Sequence, residues 1–426
     1  MILFCSGIGG IGLSAYASLQ KAAGHDVSGS DATDSALVQS LREGGIPVSL
    51  QQDGSALPEG CELFVYSEAV PEDAPERKLA RERGIRSISY FHAVGEISKG
   101  KKLIAVSGTH GKSSTTAMVA RVLIEAGLDP TVVVGTKLRE LDGKNFRVGK
   151  SDWFVLEACE YRRSFHFLSP SIALVTNVDG DHFDAYKDLA EYQQSFVDFL
   201  KLLPPDGPVI SHGSVPDIAR VVQASGRPFL NADDLALPTL KTPGLHMQQN
   251  AQLVVRLALH LGLDEAKTRA SLQGFAGTWR RLEEVGTRAD GVTVIDDYAH
   301  HPVEIRASLQ GIRAGYPGRR IVVAFQPHTH DRTLKLYDGF ITCFAGGADL
   351  VIVPDIYAAR GEVDTDKVDL PRFIADLRKG SEVEVIDGQS LAGTLETLKE
   401  ILRPNDVVVT MGAGDITKLS KQLLKA

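Results

Sequence analysis

An apolar run, Leu103-Ile104-Ala105-Val106, passes directly into Ser107-Gly108-Thr109-His110-Gly111-Lys112-Ser113-Ser114-Thr115. A buried strand that turns through glycines into a helix opening with Lys-Ser is a nucleotide-binding P-loop. Backbone N–H groups of the turn converge on phosphate oxygens, Lys112 reaches the terminal phosphates, and the Ser113 hydroxyl takes a place on Mg2+. Val106 stands where the general pattern has its first glycine, so the loop is a variant. The competing reading is a Gly-Lys-Ser turn that merely caps a helix. Either way, a strand feeding a helix in this manner belongs to an α/β fold with a mainly parallel sheet.

A chain of 426 residues exceeds what one hydrophobic core organises and calls for about two to four domains. The net charge of −8 offers no general attraction to nucleic acid or anionic membrane, so any phosphate-rich ligand must be held by local cations such as Lys112 and the pair Arg280-Arg281. Cys5, Cys61, Cys159 and Cys343 are scattered, with no Cys-x-x-Cys pair to suggest a zinc module or disulfide framework. The start of the chain has no signal-peptide pattern and no later run reaches membrane-span length, which together place the protein in the cytoplasm.

The first strand, Ile2 to Ser6, leads into Gly7-Ile8-Gly9-Gly10-Ile11-Gly12 and a helix ending near Gly24. The next strand ends in Val27-Ser28-Gly29-Ser30-Asp31, which puts an acid about twenty residues beyond the glycines, where a ribose hydroxyl partner belongs. This unit predicts a nucleotide diphosphate on the helix N-terminus; the alternative is a glycine turn needed only for packing. A third strand at Leu63–Ser67, a helix at 75–83 and a strand at 85–88 complete it, and Ser98-Lys99-Gly100-Lys101-Lys102 reads as a polar linker.

After the P-loop strand, Trp153-Phe154-Val155-Leu156 ends in Glu157, and Ala173–Val178 runs into Asp179-Gly180-Asp181-His182. In a parallel sheet these carboxyl ends open on one crevice, so Ser113, Glu157 and His182 can share a cation. A long helix from Gly244 to about Leu261 carries His246 and Asn250. A further alternation begins at Val292, and its strand tips are loaded with polar groups: Asp296-Asp297-Tyr298-Ala299-His300-His301, Gln326-Pro327-His328-Thr329-His330-Asp331-Arg332, Asp355 to Glu362 and Met411-Gly412-Ala413-Gly414-Asp415. No Cys/His cage accompanies the histidines, which favours substrate contacts over a zinc site.

With these residues in place, the chain resembles the Mur ligases, ATP-dependent ligases of peptidoglycan precursor assembly, over essentially its whole length. Asp296-Asp297-Tyr298-Ala299-His300-His301-Pro302 and Asp355-Ile356-Tyr357-Ala358-Ala359-Arg360 are most similar to the branch that adds L-alanine. The resemblance implies three domains: a Rossmann-like domain for the UDP substrate over 1–98, a central P-loop ATPase domain over 99–283, and a Rossmann-like amino-acid domain over 284–426. It implies ATP and Mg2+ as cofactors, UDP-N-acetylmuramate and L-alanine as substrates, and a monomer or weak homodimer. Gly7, Gly9, Gly10, Gly12, Ser30, Asp31 and Ser67 would then hold the uridine nucleotide. Gly108, Thr109, His110, Gly111, Lys112, Ser113 and Ser114 would hold the phosphates of ATP, with His246 and Asn250 at its adenine and Arg281 sensing phosphate. Lys112, Glu157, His182, Arg281 and Asp297 would carry catalysis, and Tyr298, His300, His328 and Arg332 the alanine.

Where the family commonly has Glu-Ala-Asp-Glu-Ser-Asp before Ser-Phe, this chain has Glu157-Ala158-Cys159-Glu160-Tyr161-Arg162-Arg163 before Ser164-Phe165. Ser195-Phe196-Val197 occupies the region where sister ligases place a carbamylated lysine, as in the alanine-adding branch. The rival readings are a ligase that attaches a preformed tripeptide to UDP-N-acetylmuramate, a P-loop regulatory switch, and a nicotinamide oxidoreductase. Lys112→Ala is expected to abolish ligation while leaving the fold intact, seen as lost kcat/KM for ATP in a folded variant.

Overall fold

The computed structural model describes residues 1–180, 185–357 and 367–425. It is a three-domain α/β protein with one mainly parallel sheet per domain. The chain forms two compact units, one of Met1–Thr239 with Asn250–Gln273 and one of Leu240–Gln249 with Gly274–Ala426.

The first sheet contains β1 (Ile2–Ser6), β2 (Asp26–Ser30), β3 (Val48–Ser49), β4 (Leu63–Tyr66) and β5 (Arg86–Ser89). All pair in parallel, in the order β3-β2-β1-β4-β5. The chain winds outward from β1 to β3 and then returns to β4, so the order reverses between β1 and β4, and a crevice opens beyond their carboxyl ends. Gly7 follows β1 there with φ of 77°, and a Cβ on it would lie 2.9 Å from Cβ of Ser67, which follows β4. Gly12 has a different reason: a Cβ would meet the Tyr90 ring at 2.5 Å, so its absence lets helix Ile11–Ala22 pack against the next element.

That element, helix Tyr90–Ser98, takes in only the first residue, Ser98, of the expected linker. Ser89 Oγ accepts from the N–H of His92 and starts it. Only Lys99-Gly100-Lys101 separates it from the next strand. It fastens the first sheet to the middle domain: a Cβ on Gly95 would stand 2.3 Å from the carbonyl oxygen of Phe167, and His92 stacks on the Phe167 ring at 5.1 Å. The amide of Asn145, buried on the middle domain, donates to the carbonyl of Ile11.

The middle sheet comprises β6 (Lys102–Ser107), β7 (Thr131–Leu138), β8 (Lys144–Arg147), β9 (Trp153–Glu157), β10 (Ile172–Val175), β11 (Val209–Ser211) and β12 (Phe229–Asn231). Their order is β12-β11-β10-β6-β9-β7-β8, parallel except for the terminal β7–β8 hairpin. The P-loop strand β6 lies at the centre, flanked by β10 and β9, so the expected crevice is formed by three adjacent strand tips. Leu103 to Val106 and Ala173 to Val175 are completely buried, which explains their unbroken apolar runs.

The third sheet has β13 (Glu283–Thr287), β14 (Thr293–Asp297), β15 (Ile321–Phe325), β16 (Leu350–Val353), β17 (Glu384–Asp387) and β18 (Val407–Met411), in the order β13-β14-β18-β15-β16-β17. Only β13 runs antiparallel to its neighbour. Strands β14, β18 and β15 are consecutive, so their three polar tips share one edge. Among the described residues, no helix is long and apolar enough to cross a membrane.

Because the obstacle at Gly95 is main chain rather than a flexible side chain, Gly95→Ala is expected to destabilise by about 1–3 kcal/mol through overpacking. Thermal unfolding should show a midpoint lowered by about 2–4 °C for each kcal/mol.

Candidate active site

Two glycines shape the turn after β6. Gly108 has φ of 136°, and a Cβ there would sit 2.1 Å from Thr176 Oγ1; Gly111 has φ of 81°, and a Cβ would sit 2.7 Å from the Asn250 amide. The tip of β10 holds the turn from the other side. Thr109 N donates to the Asn177 carbonyl at 3.1 Å, His110 N to Asn177 Oδ1 at 2.8 Å, and Asp179 N to Thr109 Oγ1 at 3.0 Å. The hydroxyl of Thr176 and amide of Asn177 both donate to the His110 carbonyl. Asn177 thus fixes the loop. Helix Lys112–Glu125 follows, and its first intrahelical bond is Thr115 N to Gly111 O at 3.0 Å. The N–H groups of Lys112, Ser113 and Ser114 precede that bond, forming a ready anion site at a helix N-terminus.

Lys112 Nζ donates to the Gly108 carbonyl at 2.5 Å, the Thr109 carbonyl at 3.0 Å and Glu160 Oε1 at 3.0 Å. Glu160 is fully buried and Lys112 only 14% exposed. Burial opposes the charge on Lys112, but Glu160, helped by Cys159 and Glu157, outweighs it and holds the amine above its ordinary pKa. This pair alters the expectation for Lys112→Ala. Removing the cation strands a buried carboxylate at a cost of about 3–5 kcal/mol, so the fold would be weakened along with activity.

Ser113 Oγ donates to Glu157 Oε1 at 3.0 Å, while Glu157 Oε2 accepts from Gly135 N at 2.7 Å. The third expected member of this set, His182, lies outside the described residues, as does Asp181. A hydroxyl and a carboxylate at the foot of a phosphate loop are hard oxygen donors of the kind Mg2+ takes together with water and phosphate oxygens, so the residues present fit that ion.

In the first domain, Asp31 Oδ2 accepts from Gly9 N at 2.8 Å, and Oδ1 from Thr33 N at 2.9 Å. Asp31 therefore closes the glycine turn on itself. Beneath it, the Ser6 and Ser30 hydroxyls both donate to Glu76 Oε2, the second at 2.8 Å. Glu76 is completely buried, and burial raises its pKa despite the two serines. Its only sequence signal was an acid next to Pro75 in a helix's first turn.

The second unit gathers the other candidates. Asp297, at the end of β14, accepts from Leu282 N and Ala299 N, each at 2.7 Å. Burial pushes its carboxyl up to about 6, against the pull of Arg281 and those N–H groups. The two arginines seen as a pair have separate environments. Both guanidiniums lie over the Tyr298 ring, at 5.1 and 5.0 Å, but Arg280 is buried, bonded to the carbonyls of Gly412 and Gly414 and placed 3.3 Å from Asp296, whereas Arg281 is partly exposed and 3.6 Å from Glu304. His246 is in the same neighbourhood: burial lowers it to about 4, with Glu304 opposing and Arg281 adding to the shift.

Tyr298, His300 and His328 form a chain of rings, Tyr298 to His300 at 5.3 Å and His300 to His328 at 5.9 Å, and Tyr357 stacks on His328 at 5.2 Å. Burial lowers His300 to about 3 and His328 to about 4, and the Arg332 charge pushes both the same way. All four expected amino-acid residues are therefore neighbours, and both imidazoles are neutral at pH 7. Tyr357 was legible only as part of the Asp355–Glu362 run, of which Ala358 to Glu362 lie outside the described residues. Among the described residues no three His, Cys, Asp or Glu side chains group as a metal cage.

Comparison with known proteins agrees in all three domains. The Mur ligase family catalytic domain matches residues 5–102, the Mur ligase middle domain residues 106–231, and the Mur ligase glutamate ligase domain residues 280–414. The UDP-N-acetylmuramate--L-alanine ligase of Clostridium novyi is 36% identical over 451 residues, covering 99% of this chain and 96% of that one. The protein of the same name from Desulfosudis oleivorans is 38% identical over 450 residues, covering 99% and 97%. The crystal structure of UDP-N-acetylmuramate-alanine ligase MurC from Thermotoga maritima superimposes with a TM-score of 0.84 at 28% identity, covering 100% of this chain and 98% of that one. With a Mur ligase model matched in each of its three domains and curated relatives at 36% and 38% identity covered over nearly their full length, the chain belongs to the Mur ligase family.

Proposed function

We propose that this ATP-dependent ligase joins L-alanine to the carboxylate of UDP-N-acetylmuramate, releasing ADP and phosphate. The observation that carries the reading is the gathering of Tyr298, His300, His328 and Arg332. It makes a small, ring-walled, cationic setting that suits an amino acid with one methyl group. The full-length relatives quoted above carry the alanine ligase name. By contrast, the murein peptide ligase of Psychrobacter arcticus, at 23% identity and a TM-score of 0.74, shares the fold.

In the proposed reaction a carboxylate oxygen of UDP-N-acetylmuramate attacks the γ-phosphorus of ATP, the bond to the β-phosphate oxygen breaks, and ADP leaves. The amine of alanine then attacks the acyl carbon of the resulting acyl phosphate, loses a proton and displaces phosphate. Lys112 and the N–H groups of Lys112 to Ser114 hold the phosphoryl oxygens while charge moves onto them, an effect worth ~3 kcal/mol per well-placed donor. Ser113 and Glu157, with His182 as the family resemblance implies, would hold Mg2+, which when bound supplies charge neutralisation at the phosphates. The same resemblance assigns His246 and Asn250 to adenine, Arg281 to the phosphoryl charge, Asp297 to nucleotide and metal, and the glycine turn with Ser30, Asp31 and Ser67 to the uridine nucleotide. Arg332 pairs with the alanine carboxylate, since a planar guanidinium matches that group in shape and charge. His300 and His328, uncharged, do not compete with Arg332 for that carboxylate.

The direct test is phosphate release from ATP with UDP-N-acetylmuramate, comparing L-alanine, glycine, L-serine and a tripeptide. L-alanine should be used best, and a preference for the tripeptide would overturn the proposal. Arg332→Ala should raise KM for alanine by the equivalent of about 1.5–3 kcal/mol and leave both nucleotide affinities nearly unchanged.

Asp297 makes a prediction with two opposite signs. The folded state holds its proton up to about pH 6, above the ordinary range, so folding binds protons and stability should decline as pH rises between about 4 and 6. If the carboxylate form serves the nucleotide, kcat/KM for ATP should climb through the same window. Asp297→Asn should flatten both profiles, as urea titrations and initial rates across pH would show.

A further inference from the structure

After Glu157 the chain stays beside β6 for one more residue, with Ala158 N on the Val106 carbonyl at 2.8 Å, and then makes a tight turn. Within it Arg162 has φ, ψ of 49°, 33° and Arg163 of 56°, 29°. Two consecutive left-handed residues are rare when neither is Gly, Asn or Asp, because each Cβ crowds the following carbonyl. Such strain persists only where something outweighs it.

For Arg163 the compensation is visible. Its guanidinium meets Glu191 at 2.5 Å and lies over the Tyr186 ring at 5.3 Å, and its N–H donates to the Glu160 carbonyl at 2.9 Å. Arg162 has no such support. It is exposed, and its one described contact is with the ring of its own neighbour, Tyr161, at 5.3 Å. A glycine would adopt this backbone without strain. Two residues earlier, Glu160 grips the P-loop lysine, and Tyr186 OH anchors the Glu160 carbonyl from the other side. The turn is therefore fixed to the phosphate loop through Glu160, and two residues along it Arg162 exposes a permanently charged, planar cation.

We infer that Arg162 is a substrate-binding residue whose guanidinium takes the carboxylate of the acid substrate. The inference rests on the proposed function, which supplies an acid that must lie close to the γ-phosphate held by the same loop. A guanidinium fork orients such a carboxylate through two parallel hydrogen bonds. It binds the group before attack, and the carboxylate oxygen that leaves for phosphorus retains its partner in the fork.

The variant that tests this is Arg162→Gly, which relieves the backbone and removes the cation in one change. Its thermal midpoint should rise by about 2–4 °C. At the same time KM for UDP-N-acetylmuramate should rise about 10-fold or more, with KM for ATP and L-alanine within about 2-fold of wild type. Arg162→Lys should recover part of the loss. Direct titration with UDP-N-acetylmuramate and with UDP-N-acetylglucosamine, which lacks the lactyl carboxylate, separates the sources of the anion: only the first should bind more weakly to Arg162→Gly. Equal weakening of both would assign Arg162 to the diphosphate and overturn the inference. So would a stabilised variant that binds both as wild type does, even while wild-type turnover of UDP-N-acetylmuramate upholds the proposed function.

Discussion

The ion pair between Lys112 and the wholly buried Glu160 is the interaction on which the middle domain depends. A carboxylate without water is tolerable only beside a cation, and the cation here is the lysine that the proposed function assigns to the phosphates. The pair joins the turn after β6 to the turn after β9. The Gly108 and Thr109 carbonyls then draw the amine back into its own loop. The loop is thereby preorganised, with Lys112 supported by protein on one side and able to accept phosphate on the other. Neighbouring Asn177 and Thr176 act in the same sense, since they satisfy the Thr109 and His110 backbone and leave the helix N-terminus to the ligand.

In the third domain burial does the opposite work. His300 is driven to its neutral form because burial and Arg332 outweigh Glu304, 3.4 Å from its ring, and His328 because burial and Arg332 act together. Asp297 is likewise pushed toward its neutral form, but Arg281 and two backbone donors limit the shift. One set of residues is tuned by the loss of water and the other by a charge partner, a difference that suits the small zwitterion and the polyphosphate of the proposed function.

Strands and their loaded tips were legible in the sequence because a buried parallel strand must be an apolar run, and the residue that ends it must be where ligands lie. The P-loop, Glu157, the Asp297–His300 run and the His328–Arg332 run were all found in this way. Residues that act on other residues were not legible. Glu160 and Asn177 stood out only as members of longer stretches and Glu76 not at all, and their importance comes from partners far along the chain: Glu160 from Lys112, Glu76 from Ser6 and Ser30, Asn177 from His110. Helix Tyr90–Ser98 was missed for a similar reason, since its Gly95 has low helix propensity and makes sense only against Phe167. Arg280 and Arg281 looked alike as a dipeptide, and only the fold shows that, although both lie over Tyr298, one is turned inward to Asp296 and the other toward Glu304.

The turn at Gly108 also bears on how the protein could evade an inhibitor. A side chain there would collide not only with the Thr176 hydroxyl but also, at 3.0 Å, with the backbone nitrogen and oxygen of Asn177, and main chain cannot rotate out of the way. At Gly111 the obstacle is the Asn250 amide, with the left-handed backbone as a second bar. A compound that lies along this turn is therefore shielded from simple resistance, because the replacement that would block it also displaces the tip of β10 and dismantles the loop.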